Sequence, residues 1–119
     1  MKKMSWEDKL IGQPMPSNII NIDWHEVHGG RQQYSIDQHH NEWRREEYED
    51  CYVFWIHLPS EYRENVDLVV YIDADKSFNF TGFSVEAFAV SRGRPDSLYP
   101  QTREKNQVGR FIKSLFGLK

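Results

Sequence analysis

Apolar residues recur with a period of two through the middle of the chain and with a period near 3.6 only at its end. From Cys51 to Leu58, one side of an extended chain carries Tyr52, Phe54, Ile56 and Leu58 and the other carries Cys51, Val53 and Trp55. A strand apolar on both faces belongs in the middle of a sheet or beneath two covers. Pro59 ends it and Ser60 to Asn65 reads as a polar turn. Val66 to Ala74 is a second strand, with Leu68, Val70 and Ile72 opposite Val69 and Tyr71. Asp75-Lys76-Ser77 turns the chain into a long strand from Phe78 to Ser91. Its apolar parity changes between Phe80 and Phe83, where Gly82 suggests a bulge.

Weaker patterns flank this centre. Ile20, Ile22 and Trp24 alternate within Ile19 to Val27, Gly29-Gly30 suits a tight turn, and Tyr34 and Ile36 share one side of Gln32 to Gln38. Together they predict a β-hairpin. His39 to Asp50 is polar and rich in the helix formers Glu and Arg, which predicts an exposed helix. Arg92 to Gln101 reads as a loop because of Gly93, Pro95 and Pro100. At the amino end, Ser5 can cap a short helix that Gly12, Pro14 and Pro16 stop. At the carboxyl end, Val108, Phe111, Ile112, Leu115 and Phe116 form one helical stripe opposite Arg103, Asn106, Arg110 and Lys113. Thr102 is the expected cap and Gly117 the stop. The pattern predicts an α+β fold for residues 1–119 as a single globular domain. It would have a mainly antiparallel sheet of about four to five strands, a hairpin plus a meander, with a C-terminal amphipathic helix packed on one face and a short N-terminal helix.

Composition adds limits. A chain of 119 residues suits one domain, and 39% hydrophobic with 28% charged residues is a globular balance. The single cysteine, Cys51, allows no intramolecular disulfide, which suits a reducing, cytoplasmic setting. The start, charged but with no apolar run behind it, does not read as a secretory signal, and no apolar run approaches the roughly 20 residues of a membrane span. Charge is uneven: residues 1–86 hold 8 Lys+Arg against 16 Asp+Glu, and residues 87–119 hold 7 against 2.

Several constellations could carry chemistry. His25, His28, His39 and His40 could meet across the predicted hairpin as metal ligands. On a strand, however, residues three apart point to opposite faces. Asp73 and Asp75 share a strand face and could hold Mg²⁺, as in phosphohydrolases of the haloacid dehalogenase type, but the further motifs such enzymes need are missing from the 44 residues that follow. Asp75 is as well explained by capping its own turn. Cys51 and His57 lie about 20 Å apart along one strand, too far to pair. The tetrapeptide Arg92-Gly93-Arg94-Pro95 resembles the core of the AT-hook, which would imply entry into an A·T-rich minor groove, although Ser91 and Asp96 depart from the basic flanks of that motif. A looser basic surface of Arg92, Arg94, Tyr99, Arg103, Arg110 and Lys113 could contact nucleic acid.

No Gly-rich phosphate loop, zinc pattern or catalytic triad is legible. The expectation is therefore a soluble, non-enzymatic protein-binding module that needs no cofactor and no metal. It would inhibit or neutralise a partner protein, in the manner of immunity proteins, antitoxins and phage inhibitors. Its expected contacts are aromatics among charges, Trp24, Tyr34, Trp43 and Tyr48, with Glu46 and Glu47. Nucleic-acid binding is the alternative, and a small metal-dependent hydrolase the second.

Overall fold

The computed structural model describes residues 5–27, 31–91 and 94–118, with the side chains of residues 91, 94 and 95 left aside. Contacts divide the chain into two compact units, Met1–Trp55 with Ile72–Phe83, and Ile56–Tyr71 with Ser84–Lys119. The elements in chain order are α1 (Trp6–Leu10), α2 (Ser17–Ile20), β1 (His25–Glu26), β2 (Gln32–Ile36), β3 (Glu42–Glu47), β4 (Cys51–Pro59), β5 (Val66–Asp75), β6 (Phe80–Ser91), β7 (Arg94–Leu98) and α3 (Thr102–Leu115). The strands form one antiparallel sheet in sequence order, β1 to β7. β4, apolar on both faces, stands in the middle of that order, with Phe54 and Ile56 buried and Val53 and Trp55 half-buried.

The sheet has seven strands, not four or five, and the extra ones correct two expectations. The segment 39–50 holds strand β3 and no helix, because pairing with β2 overrides helix propensity: Ser35 lies opposite Trp43 and Gln33 opposite Arg45. The segment expected to be a loop holds β7, paired with β6 from Ala87–Leu98 to Ser91–Arg94. Pro95 is tolerated there because β7 ends the strand order and its outer edge needs no donor. A third correction concerns 19–27. Ile19 and Ile20 close the short helix α2 behind Pro16, and only His25 and Glu26 are extended, opposite Tyr34 and Gln33. Gly29-Gly30 lies outside the described residues.

In the first unit, α1 has the capping box that Ser5 promises: Ser5 Oγ accepts the Asp8 amide at 3.2 Å and Asp8 returns a bond to the Ser5 amide at 3.3 Å. Gly12, with φ at 90°, turns the chain so that its amide reaches the Phe80 carbonyl at 2.8 Å. Leu10, Met15, Ile19, Trp43, Phe54, Ile72, Ala74 and Phe80 are the buried apolar residues of this unit.

Two of its turns are built alike. Asp37 and Asp75 each accept, through Oδ1, the amides two and four residues on: His39 and Asn41 at 2.8 and 3.0 Å, and Ser77 and Asn79 at 2.9 Å each. Asn41 and Asn79 each donate Nδ2 to the other carboxylate oxygen. Each aspartate amide reaches its asparagine carbonyl, at 3.0 and 2.9 Å. The fourth residue of each turn, His40 or Phe78, has φ near 65°, a region that L residues other than Asn, Asp and His seldom enter. The shared sequence is Asp, three residues, Asn.

In the second unit, Val66, Leu68, Val69, Val70, Ala87, Val108 and Ile112 are buried. α3 buries the expected stripe, extended by one turn toward its amino end. Glu104, Gln107, Val108, Gly109 and Ile112 are buried, while Phe111, Leu115 and Phe116 are half-buried. Its N-cap is Gln101 and not Thr102, in a reciprocal box with Glu104.

Candidate functional site

Trp43, expected as a partner anchor, is 1% exposed, and its indole N–H donates to Asp37 Oδ2 at 3.0 Å. It cannot enter a partner's pocket without leaving the core, so the anchor role is withdrawn. Burial pushes the Asp37 carboxyl up, but bonds from Asn41, the Trp43 indole and the His39 amide outweigh it and hold the group below its ordinary range.

The other expected contacts lie on the same strands. Trp24 is half-buried against Phe54, its ring centroid 5.8 Å away, with the Arg45 guanidinium 4.6 Å from its own ring centre. The Trp24 indole N–H is buried without a hydrogen-bond partner. Arg45 is aimed by Gln33 Oε1, which accepts from its Nε at 2.7 Å. Burial pushes Arg45 below its ordinary value. Tyr34 packs on His25 at 5.4 Å, with Arg44 at 5.7 Å from its ring.

Around the β3–β4 turn the sheet leaves a groove of about 400 Å³ lined by Glu26, Arg31, Gln33, Glu47, Tyr48, Glu49 and Lys76. Of the expected contacts, Glu47 and Tyr48 line it, and Tyr48 is 38% exposed. Burial and a hydrogen bond with Glu46 push the Tyr48 phenol up. Lys76 is fully engaged: Nζ donates to Glu47 and to the Tyr48 carbonyl, both at 3.0 Å, and lies 4.1 Å from the Tyr52 ring centre. Tyr52 in turn stacks on Phe78 at 4.5 Å. Glu26 and Glu49 make no ion pair among the described residues. Sequence reasoning missed Glu26, Arg31, Gln33, Glu49 and Lys76. Only the strand register, with Glu26 opposite Gln33, draws Glu26 to this side of β2.

The second unit gathers another cluster. Glu104 is 0% exposed and every oxygen is engaged: Ser60 Oγ at 2.5 Å, Arg63 Nε and Nη2 at 2.9 and 2.6 Å, and the Gln101 amide at 2.8 Å. Burial pushes its carboxyl up, but Arg63, the Gln101 amide and Ser60 prevail and bring it to about 2. Gln107 ties α3 to the same loop, donating to the Pro59 carbonyl at 2.9 Å and accepting the Glu61 amide at 3.1 Å.

Of the expected basic surface, Arg103 lies 5.9 Å from the Tyr62 ring centre, and Arg110 pairs with Glu61 at 2.8 Å. Lys113 is half-buried and Tyr99 exposed. Arg92 lies outside the described residues, and of Arg94 only its place in β7 is described, so the tetrapeptide resemblance has no side-chain geometry to set beside it.

Among the described residues no group of three or more His, Cys, Asp or Glu is placed to hold a metal ion. His39 and His40 give Asp37 only their backbone amides, His25 stacks on Tyr34, and His28 lies outside the described residues. Both oxygens of Asp75 accept bonds from its own turn, the capping role its sequence position suggests. Burial pushes the Asp73 carboxyl up. No helix among the described residues is long and apolar enough to cross a membrane. No family model, no curated protein and no solved structure matches the chain.

Proposed function

We propose that the protein is a non-catalytic module that binds a partner protein through the groove around the β3–β4 turn, and that it acts by occupying that partner. The observation that carries this reading is the rim of the groove. Two carboxylates that make no ion pair among the described residues, Glu26 and Glu49, line it together with an exposed tyrosine, Tyr48. Such a rim suits a basic segment, because complementary charge speeds encounter while an aromatic contributes contact area. The excess of acid over base in residues 1–86 extends the same field. The test is capture of partners from the native cell extract after nuclease treatment, with wild type and the double variant Glu26→Lys, Glu49→Lys. A partner retained by wild type and lost by the variant, at unchanged melting temperature, supports the reading. Equal capture by both removes the groove from it.

A further inference from the structure

The bonds that fasten α3 to the β4–β5 loop also build a surface. Arg63, held by Glu104, donates through Nη2 to the Tyr99 carbonyl at 3.3 Å, so the backbone that carries Tyr99 is tied in place. The Tyr99 side chain, by contrast, stands in solvent, with the residue 93% exposed. Tyr62 precedes Arg63, gives its amide to Ser60 Oγ at 3.1 Å, and is 39% exposed. The Arg103 guanidinium flanks the Tyr62 ring, and Arg110 Nη2 lies 3.4 Å from its hydroxyl. The Arg63–Glu104 clamp thus holds the backbone that carries two exposed rings, and two guanidinium groups stand against one of them.

We propose that this surface binds single-stranded nucleic acid. A ring left in water contributes almost nothing to folding, since burial is what makes an aromatic stabilising. Here a buried ion pair positions the backbone beneath such a ring. Flat phenol faces accept unstacked bases of any sequence, and guanidinium groups beside them take phosphate oxygens. Arg103 makes no ion pair among the described residues. It also sits in the first turn of α3, where the helix field disfavours a cation, and an arriving polyanion reverses that penalty. The Arg110–Glu61 pair is more than half exposed on both sides, and exposed pairs contribute so little that a phosphate can displace the carboxylate. Residues 87–119 carry 7 basic against 2 acidic residues, so the sequence around the helix favours an anion. Duplexes keep their bases stacked inward and offer no free face to Tyr62 or Tyr99. The surface belongs to the second unit and shares no residue with the groove around the β3–β4 turn, so it stands independently of the reading above.

The experiment is fluorescence anisotropy of a labelled oligothymidine of about 20 nucleotides titrated with the full chain, a length ample for one stacking platform. Expected are saturable binding at low salt and a loss of about tenfold in affinity between about 20 and 100 mM salt, the slope of roughly two phosphate contacts on a single strand. Tyr99→Ala and Arg103→Ala should each weaken binding by about fivefold or more at unchanged melting temperature. The Glu26→Lys, Glu49→Lys variant should not weaken it. Absence of binding at low salt overturns the proposal. So does equal affinity for a duplex of the same length, or indifference to Tyr99→Ala. Competition by poly-glutamate as strong as that of unlabelled oligothymidine would also overturn it, in favour of an acidic protein partner.

Discussion

Arg63 reaches Glu104 with both Nε and Nη2, at 2.9 and 2.6 Å, across 41 residues of chain. The carboxylate is wholly buried, whereas the Arg63 side chain keeps 24% of its surface in water. An ionised carboxylate is tolerated inside only when each oxygen is satisfied, and here Ser60 and the Gln101 amide complete the set.

Removing one member of that set should therefore cost more than an exposed ion pair would. Glu104→Ala is expected to lower stability by about 3 kcal/mol, since it leaves the Arg63 and Ser60 donors without their acceptor. Urea melts of wild type and variant measure this, and a difference below about 1 kcal/mol would show that the clamp is dispensable.

Acid should act on the same group. The Glu104 carboxyl ionises at about 2 in the fold, against an ordinary 4.5, so the folded pKa is depressed. Its contribution is fully present above the ordinary value and is lost as pH falls from there through about 2. Asp37, also held below its ordinary value, acts in the same direction. Asp73 acts oppositely: its carboxyl is raised by burial, so its charge weighs against the fold at neutral pH and the penalty fades on protonation. Asp73→Asn should raise the melting temperature at pH 7 and leave it unchanged near pH 3. Thermal scans at both pH values decide.

The twin turns predict opposite outcomes for one kind of substitution. His40 is exposed at φ 65°, so His40→Gly relieves a strained backbone and should stabilise by up to about 1 kcal/mol. Phe78 has φ 63°, but its ring stacks on Tyr52, so Phe78→Gly should destabilise by about 1–3 kcal/mol despite the same relief. Equal signs for the two variants would refute the account of Phe78 as a strained residue retained for its ring.

Trp43→Ala should cost about 3–5 kcal/mol of stability, the range for emptying a buried aromatic site, and Trp43→Phe less, through loss of the bond to Asp37. If Trp43→Ala melts like wild type, the tryptophan is not part of the core.

Ending the chain after Gln107 removes Val108 and Ile112, both wholly buried, along with the half-buried Phe111, Leu115 and Phe116. At about 1.5–3 kcal/mol for each fully buried side chain, and a typical total of 5–15 kcal/mol, the shortened chain should show no cooperative melting transition.

Elements whose side chains alternate strongly were legible from order along the chain. β4, β5 and β6 lie within two residues of their expected bounds, because apolar periodicity of two records burial directly. The first helix was legible from Ser5 and Gly12, since caps are local. β3 was not. Glu42-Trp43-Arg44-Arg45-Glu46-Glu47 has helix-forming composition, and only its place in the sheet between β2 and β4, entered through the Asp37 turn, makes it a strand. The turn had a sequence signal, Asp and Asn four apart, but it gains meaning only from its repeat at Asp75. The candidate sites divide in the same way. Charge asymmetry and exposed aromatics such as Tyr48 and Tyr99 could be read from the chain. That Trp43 is core, that Glu104 is buried and that Tyr62 joins Arg103 and Arg110 could not. These facts depend on which groups a neighbouring strand or loop presents, and bonds across 41 to 49 residues have no local signature. The sequence by itself determined β4, β5, β6 and the two terminal helices, where apolar periodicity and caps act locally. Tertiary structure alone decided which polar and aromatic groups were removed from water and which were left facing it.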